Sequence, residues 1–480
     1  MDLKRIKKVY MIGIKGVGMT MLAQYLREKG IYVSGSDTSE KFMTDQVLGK
    51  AGIKVIETFD SKNIPDDADL IIYSSAYNKK TNPEVAKVIS KENVLTYAQA
   101  LGLIFNGQYG IGVIGSHGKT TTTAWLGYVV DKAGLSPSVL VGANVPQFSG
   151  TSLIGKSDYM ISELDEYQNK LHYYHPKAII LNNIEYDHPD FFVSKEDYYN
   201  VFIDFIKKIP SNGFVVVNYD DSIIRKIINV NCRSRIITYA LDEVADYIAY
   251  DIKQIDDPSS ITGSKQYFKV KLGSSNFEEN EIMENSTRID VLGDFSIQLL
   301  GIHNIYNALA VIATSIELNI DLAKIRTYLE EFQGTERRTQ LLGEYRGAKI
   351  IDDYAHHPTE IRTTLKGLKS AYPNNKIIVV FHPHTFTRTK ALLDDFSASF
   401  NNADEVIVLD IYGSAREEQG GVHSKDLVAE IKKDNKKSKI LYIPTLKEAE
   451  NYLRKIIESN DVIILMGAGD VFRIGQNLIK

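Results

Sequence analysis

The sequence predicts an α/β protein of three domains, each built on a mainly parallel sheet flanked by helices. Three observations predict this class. The chain has 480 residues, which is more than one hydrophobic core usually serves. Short apolar runs alternate with helical patterns along most of the chain, as in parallel sheets. Glycine-rich turns follow several of these runs, where a strand leads into a helix. We expect the domains to span residues 1–102, 103–333 and 334–480.

Composition excludes several classes of protein. Apolar residues make up 44% of the chain and charged residues 24%, and the net charge is −5, so nothing favours a nucleic-acid partner. No apolar stretch approaches the length of a membrane span, and Lys15 interrupts the first one too early for a signal peptide. A single cysteine, Cys232, excludes an intrachain disulfide and a multi-cysteine zinc site. We therefore expect a cytoplasmic protein with no membrane partner.

The first domain opens with a cluster of three glycines. Gly13, Gly16 and Gly18 follow an apolar run at 9–14 and precede a helical pattern at 19–29, and further strands are predicted at 32–34 and 70–73. With Asp37 after the second strand, the cluster is similar to a dinucleotide-binding turn. Its spacing is not the usual one, so three interpretations stay open. They are a structural strand–helix turn, a dehydrogenase site, and a diphosphate held at a helix N-terminus.

The second domain carries the most informative motif, GSHGKTTTT at 115–123, between a strand at 111–114 and a helical pattern starting near Thr122. Glycines allow close backbone approach, a lysine supplies mobile positive charge, and a hydroxyl can bind Mg²⁺. The loop is shorter than the standard P-loop, because Val113 stands where that loop has its first glycine. We expect it to bind ATP with Mg²⁺.

Acidic groups and a histidine follow the next strands of this domain. Glu163, Asp165 and Glu166 come after a strand at 159–161, and Asp187 and His188 come after one at 178–181. Ligands bind beyond the carboxyl ends of parallel strands, so these groups are expected to face the triphosphate. They could hold a metal ion or simply cap helices. The rest of the domain is predicted to contain a strand at 214–217, a small antiparallel insert within 247–300 and a helix at 304–318.

Polar motifs follow two strands of the third domain. Strands are predicted at 349–351, 377–381, 405–410 and 462–466, with helices at about 360–371, 390–398 and 446–458. Asp352-Asp353 and His356-His357 follow the first strand, whereas His384 and Arg388 follow the second. An arginine there can grip a carboxylate or phosphate with two hydrogen bonds. These groups are too polar for a turn to require, which indicates a functional site.

Taken together, these residues resemble the Mur ligase family, which adds amino acids to the peptidoglycan precursor. The resemblance runs nearly the whole length and rests on GIKGVGM at 13–19, SSA at 74–76, GSHGKTTTT at 115–123, GIHNIYNALA at 301–310, RR at 337–338, DDYAHHPTE at 352–360, HPHTFTRT at 382–389, DIYGSARE at 410–417 and GAGD at 467–470. The shortened phosphate loop is this family's own form, with Ser116 in place of its usual threonine.

The resemblance implies ATP-dependent ligation of L-alanine to UDP-N-acetylmuramate through an acyl phosphate, with ATP and Mg²⁺. It implies catalytic roles for Lys119, His188, His357 and Arg388. Metal ligands would be Thr120, Glu163 and His188. ATP would be bound by Gly115, Ser116, His117, Gly118, Lys119, Thr120, Thr121, Asn304, Asn307, Arg338 and Asp353. Substrate would be bound by Gly16, Val17, Gly18, Met19, Asp37, Ser74, Ser75, His357, His384 and Arg388. We expect a bacterial cytoplasmic enzyme that is a monomer or weak homodimer.

Several alternatives remain at this stage. A recycling ligase would attach a preformed tripeptide to the same sugar nucleotide, and a folate or poly-amino-acid ligase would share the ATP domain. A nucleotide-binding regulator without catalysis is the alternative of another class. Three departures from relatives matter: Asp165 and Glu166 lie in an altered motif, Thr385 replaces a frequent arginine, and Ile203 stands where other ligases carry a carbamylated lysine. The isoleucine at position 203 favours the L-alanine ligases within the family over the ligases that act later.

Overall fold

The structure is a computed structural model, and it describes residues 5–42, 44–189, 191–257, 259–273, 291–413, 417 and 419–480. Packing divides the chain into two compact units. The first comprises Met1–Ile184, Tyr199–Thr238 and Ala310–Tyr328, and the second comprises Glu185–Tyr198, Tyr239–Leu309 and Leu329–Lys480. Among the described helices, none has both the length and the apolar character needed to cross a membrane.

The first unit begins with a five-stranded parallel sheet in the order β3-β2-β1-β4-β5. Its strands are β1 (Lys8–Ile12), β2 (Tyr32–Ser36), β3 (Lys54–Ile56), β4 (Leu70–Tyr73) and β5 (Val94–Thr96). Its helices are α1 (Val17–Glu28), α2 (Thr44–Lys50), α3 (Pro83–Val88) and α4 (Tyr97–Phe105). The central strand β1 is a continuous apolar run that is buried from Val9 to Ile12, as expected for a strand covered on both faces.

A second sheet in the first unit carries the phosphate loop. Six of its ten strands lie in the order β11-β10-β6-β9-β7-β8, and all pairs among these six are parallel except β7 with β8. The elements are β6 (Tyr109–Ile114), α5 (Lys119–Lys132), β7 (Ser138–Val145), β8 (Gly150–Leu153), β9 (Tyr159–Glu163), β10 (Ala178–Leu181), α6 (Lys195–Ile206), β11 (Phe214–Asn218) and α7 (Ser222–Asn231). Helix α5 is almost entirely buried and includes the chain's one tryptophan, Trp125.

The predicted antiparallel insert is present. Strand β12 (Arg235–Ala240) is followed by β13 (Tyr247–Asp256), β14 (Ser264–Leu272) and β15 (Val291–Ile297), and then by α8 (Ile302–Glu317) and α9 (Leu322–Glu331). Strand β14 pairs antiparallel with both β13 and β15, and the stacked rings of Phe268 and Phe295 join β14 to β15. The part of the predicted insert at 274–290 lies outside the described residues.

The third sheet has six strands in the order β16-β17-β21-β18-β19-β20, and only the β16–β17 pair is antiparallel. Its elements are β16 (Gln340–Tyr345), β17 (Ala348–Asp353), α10 (Pro358–Ala371), β18 (Ile377–Phe381), α11 (Phe386–Ala391), α12 (Leu393–Ser397), β19 (Glu405–Val408), α13 (Ser424–Asp434), β20 (Lys439–Tyr442), α14 (Leu446–Ile456), β21 (Val462–Met466) and α15 (Phe472–Leu478). Two apolar clusters cover its two faces.

The predicted fold class is confirmed, since the chain contains three mainly parallel sheets with helices between their strands. The predicted domain boundaries stay a prediction. Two helix predictions were wrong. The helix after the phosphate loop begins at Lys119, not near Thr122, and the single helix expected at about 390–398 is two helices. They separate at Leu392, whose backbone leaves the helical region (φ −113°, ψ 23°).

Candidate active site

The phosphate loop forms a backbone cradle between β6 and α5. Gly115 has φ 127° and Gly118 has φ 79°, a region that disfavours residues with side chains. A Cβ at Gly115 would lie 2.8 Å from the backbone oxygen of Asn183. Gly118 is the N-cap of α5, and within the described part of the chain no side chain caps that end. The first N–H groups of the helix are therefore available to an anion.

Two asparagines after β10 hold this loop in place. The backbone N–H of His117 donates to Asn183 Oδ1 at 2.8 Å, and that of Ser116 donates to the Asn183 carbonyl at 3.1 Å. Asn182 Nδ2 donates to Thr122 Oγ1 at 3.1 Å. The sequence analysis assigned neither asparagine a supporting role, although two amides directly after a buried strand were a usable signal.

Lys119 lies over the loop and is paired with a buried carboxylate. Its Nζ donates to the carbonyl oxygens of Gly115 and Ser116 and contacts Glu166 Oε2 at 3.1 Å. Burial acts to lower the pKa of Lys119, but Glu166 and the nearby Asp165 raise it overall, so the ammonium stays charged. Glu166, whose role the altered motif left open, is thus the ion-pair partner of Lys119. Asp165 instead pairs with Lys170, at 2.5 Å.

Glu163 and Thr120, two of the predicted metal ligands, lie beside the same loop. Glu163 is the last residue of β9, and its carboxylate occupies the space left by the missing side chain of Gly142 on β7. Thr120 is the second residue of α5 and is partly exposed, whereas the predicted ATP ligand Thr121 is buried. A carboxylate and a hydroxyl are hard oxygen donors, which Mg²⁺ prefers, so both residues fit the predicted metal.

Gly142→Ala is expected to displace the Glu163 carboxylate, because a methyl group at this position would overlap Glu163 Oε1. We expect the Mg²⁺ concentration for half-maximal activity to rise by about tenfold, the usual cost of disturbing a ligand's support. Titrating activity with Mg²⁺ measures this. Gly49→Ala, where a Cβ meets no atom within 4 Å, is the matched control. An unchanged Mg²⁺ requirement in Gly142→Ala would show that the Glu163 carboxylate can act without the space beside Gly142.

The first glycine cluster forms another helix N-terminus, at α1. Gly13 has φ 78° and its N–H donates to the Ser36 carbonyl at 2.8 Å, while Gly16 is the N-cap of α1. A Cβ at Gly18 would lie 2.8 Å from the Tyr97 ring. Gly13 and Gly18 are therefore positions that favour glycine, the first because of its φ and the second because of the Tyr97 ring. Val17 at the first helical position is exposed, so this end of the helix is accessible to a ligand.

The other predicted substrate residues in the first unit differ in accessibility. The Met19 side chain is buried, so only its backbone N–H could meet a ligand. Asp37 accepts the N–H groups of Lys15 at 2.7 Å and Thr38 at 2.8 Å, which uses both carboxylate oxygens. Ser74 and Ser75 directly follow β4, where the Ser74 N–H donates to the Ile12 carbonyl. The substrate roles of these residues stay predictions.

In the second unit, Asp187 and Arg388 form a buried ion pair. Arg388 Nη2 lies 3.0 Å from Asp187 Oδ1, and Nε donates to the same oxygen at 3.3 Å. Burial alone would raise the pKa of Asp187, but Arg388 and then the neighbouring histidines hold that pKa well below its usual range. His188 follows with φ 58°, and its Nε2 lies 3.8 Å from Asp187 Oδ2. His188 belongs to the second unit, whereas the other predicted metal ligands belong to the first.

The histidines near this pair have distinct roles. His357 is buried and caps α10, because its Nδ1 accepts the Thr359 N–H at 3.3 Å. His384 Nδ1 lies 3.4 Å from Arg388 Nη1, and its ring stacks on Tyr412. Burial, and then Arg388, lowers the pKa of His384 to about 4 and that of His356 to about 3. Both imidazoles are therefore neutral at pH near 7.

The predicted nucleotide ligands of the second unit are internally bonded. Asn304 Nδ2 donates to the Leu300 carbonyl at 2.7 Å, and Asn307 Nδ2 donates to Asn304 Oδ1 at 3.0 Å. Arg338 lies over the Tyr354 ring, 5.3 Å from its centroid. Asp353 accepts hydrogen bonds from the backbone N–H groups of Thr339 and Ala355, so in this structure it supports the chain next to β17. Its contact with the nucleotide stays a prediction.

Comparison with known proteins covers nearly the whole chain. Family models described as "Mur ligase family, catalytic domain", "Mur ligase middle domain" and "Mur ligase, glutamate ligase domain" match residues 8–109, 113–315 and 337–469. The UDP-N-acetylmuramate–L-alanine ligase of Desulfitobacterium hafniense (strain Y51) is 38% identical, over 98% of this chain and 99% of that protein. Its counterpart in Alkaliphilus metalliredigens (strain QYMF) is 37% identical, over 100% and 98%.

A solved structure agrees with these relatives. The crystal structure of UDP-N-acetylmuramate-alanine ligase from Thermotoga maritima matches with a TM-score of 0.77 and 25% identity, over 98% of each chain. The sequence likeness and the fold thus coincide along nearly the whole chain, and the range matched by the middle-domain model includes the phosphate loop. The chain belongs to the Mur ligase family.

Proposed function

We propose that this protein ligates L-alanine to UDP-N-acetylmuramate at the expense of ATP, in the synthesis of the peptidoglycan precursor. The observation that carries the proposal is the likeness to L-alanine ligases at 38% identity over 98% of the chain. The phosphate loop, with Lys119 charged over it and Glu163 beside it, supports the use of ATP. We further propose a bacterial cytoplasmic location and a monomer or weak homodimer.

The first chemical step activates a carboxylate, which is otherwise a poor electrophile. A lactyl carboxylate oxygen of the sugar nucleotide attacks the γ-phosphorus of ATP. The bond from phosphorus to the bridging oxygen breaks, and the products are an acyl phosphate and ADP. Negative charge on the phosphoryl oxygens is stabilised by Lys119 and by the N–H groups at the start of α5. Mg²⁺, held by Thr120, Glu163 and His188, would neutralise further phosphate charge when bound.

The second step forms the amide bond. The neutral amine of L-alanine attacks the acyl carbon, the carbon–nitrogen bond forms, and phosphate leaves with the former carboxylate oxygen. The proton that the amine loses ends on the released phosphate, which departs as hydrogen phosphate. Arg388 is the proposed partner of the amino acid's carboxylate, because it is a guanidinium that Asp187 holds in one orientation. The neutral His384 beside it adds no competing positive charge.

Phosphate release with ATP, UDP-N-acetylmuramate and a panel of amino acids and peptides tests the proposal. We expect turnover with L-alanine that requires all three substrates, and much weaker turnover with glycine, serine or a preformed tripeptide. Mass spectrometry of the product provides the control, because it must gain one alanine residue. Turnover with the tripeptide alone would overturn the assignment in favour of a recycling ligase. No phosphate release with any acceptor would favour a non-catalytic regulator.

A further inference from the structure

Lys15 is a buried lysine in the middle of the first glycine cluster. Its side chain is only 1% exposed, although lysine is almost never buried unless its charge is paired. A lysine in a glycine-rich turn at a helix N-terminus would ordinarily be assigned to a phosphate, as Lys119 is. Lys119 also has partners within the protein, but its side chain is 19% exposed and can reach a ligand, whereas that of Lys15 is closed off. The burial and contacts of Lys15 therefore indicate a different role.

All the donors of the Lys15 ammonium are already used within the protein. Nζ donates to the carbonyl oxygens of Thr38 at 2.9 Å and Glu40 at 3.0 Å. It also contacts carboxylate oxygens of Asp45 at 3.1 Å and Glu57 at 3.0 Å. An ammonium has three N–H donors, and four acceptors surround this one. Two of these acceptors are carboxylates, so the positive charge is offset where it stands.

The backbone of Lys15 makes two further connections to the same part of the chain. Its N–H donates to Asp37 Oδ2 at 2.7 Å, and its carbonyl accepts the Thr44 hydroxyl at 2.6 Å. Residues 37–42 and 44–45, which together are called segment 37–45 below, are thus fixed to the glycine cluster near both ends. Asp45 contacts the Lys15 ammonium with one carboxylate oxygen, and its other oxygen accepts the Phe42 N–H at 2.7 Å. It therefore connects Lys15 to the middle of the segment.

This connection joins two neighbouring loops at the ligand-binding edge of the sheet. The glycine cluster follows β1 and segment 37–45 follows β2, and these strands are parallel neighbours. Ligands of such sheets lie beyond the carboxyl ends of the strands. Val17 on one loop is 44% exposed and Phe42 on the other is 41% exposed, so each loop presents an apolar side chain to solvent. Fixing the loops in advance removes an ordering cost from ligand binding.

We propose that Lys15 is a positioning residue that fixes segment 37–45 against the glycine cluster, so that both are preformed for the nucleoside of the UDP-sugar, and that it does not bind the diphosphate. This rests on the proposed function, together with the predicted substrate roles of Gly16, Val17 and Gly18 in the glycine cluster. The diphosphate is then left to the N–H groups at the start of α1.

Lys15→Met tests this role, with Lys8→Met as the matched control. Lys8 also pairs with a carboxylate, that of Asp67 at 2.5 Å, but it is the first residue of β1, at the opposite end of the strand from the glycine cluster. Inhibition constants of uridine and of UDP, each competing with UDP-N-acetylmuramate, are measured for the wild type and both variants. We expect both constants to rise by the same factor in Lys15→Met, about tenfold, because the segment would have to be ordered when the ligand binds. The KM for ATP should not change, and Lys8→Met should match the wild type.

Other results would overturn the proposal. If Lys15 bound the diphosphate, Lys15→Met would weaken UDP but leave uridine unchanged. If Lys15 were purely structural, the melting temperature would fall with both constants unchanged. Thr44→Val removes one hydrogen bond without touching the buried charge, so it extends the test if Lys15→Met does not fold. Thr44→Val should raise the inhibition constants of uridine and UDP by the same factor, and by a smaller factor than Lys15→Met does. A wild type without turnover on UDP-N-acetylmuramate would instead overturn the proposed function, and this inference with it.

Discussion

Lys119→Ala is expected to abolish ATP-dependent ligation, lowering kcat by about a thousandfold or more, because a fixed positive charge is lost where phosphoryl charge develops. The same change leaves the buried Glu166 carboxylate without its lysine. The melting temperature should therefore fall as well, since a buried charge that loses its partner is strongly destabilising. Single-turnover ADP formation and thermal denaturation measure the two effects separately.

The double variant Lys119→Ala/Glu166→Gln separates catalysis from stability. Glutamine keeps the shape of Glu166 without its charge, so the melting temperature should recover while ligation stays absent. Lys132→Ala, at the other end of α5, is the control for a lysine lost from the same helix and should retain activity. Near-normal ligation by Lys119→Ala would contradict the assignment of the loop to ATP.

Arg388→Ala is expected to have the next largest effect, on both stability and alanine use. The substitution leaves the buried Asp187 carboxylate without its arginine. The free energy of unfolding should therefore fall by about 3 kcal/mol. Because the pKa of Asp187 lies well below its ordinary value near 3.9, the pair stabilises the fold fully at neutral pH. That contribution is lost only as strong acid protonates the carboxylate. Denaturant unfolding at neutral pH measures it.

Alanine ligation by Arg388→Ala should also be severely reduced, with the KM for alanine rising far more than the KM for ATP. The double variant Arg388→Ala/Asp187→Asn should recover part of the stability but none of the alanine use. Arg454→Ala provides the comparison, since Arg454 pairs with Glu450 at 3.0 Å in a more exposed setting and should cost little. An unchanged KM for alanine in Arg388→Ala would remove this residue from the amino-acid site.

The fold class could be predicted because its signals are local. Apolar runs such as β4, β10, β18 and β21 lie within a residue or two of their expected positions. Parallel strands buried on both faces produce such runs directly in the sequence. The phosphate loop was predictable for the same reason, since strand, glycine turn, lysine and helix follow one another along the chain.

Features that depend on contacts between distant segments could not be predicted. The pairing of Lys119 with Glu166 joins residues 47 positions apart, and that of Arg388 with Asp187 joins residues 201 apart. No pattern in the sequence around Gly142 indicates that the absence of a side chain there leaves room for the Glu163 carboxylate on another strand. The helix-capping role of His357 was hidden for a different reason: histidine is an uncommon cap, so the HHP segment was interpreted only as chemistry.

In the proposed mechanism ATP activates the carboxylate of the sugar nucleotide, and transfer of an oxygen isotope from that carboxylate to phosphate reports this step. UDP-N-acetylmuramate labelled with heavy oxygen in its lactyl carboxylate is ligated to L-alanine by the wild-type protein, and the released phosphate is analysed by mass spectrometry. An acyl phosphate passes one carboxylate oxygen to phosphate, so we expect one heavy oxygen in each phosphate released from doubly labelled substrate. Phosphate without the label, formed alongside ligated product, would contradict the mechanism.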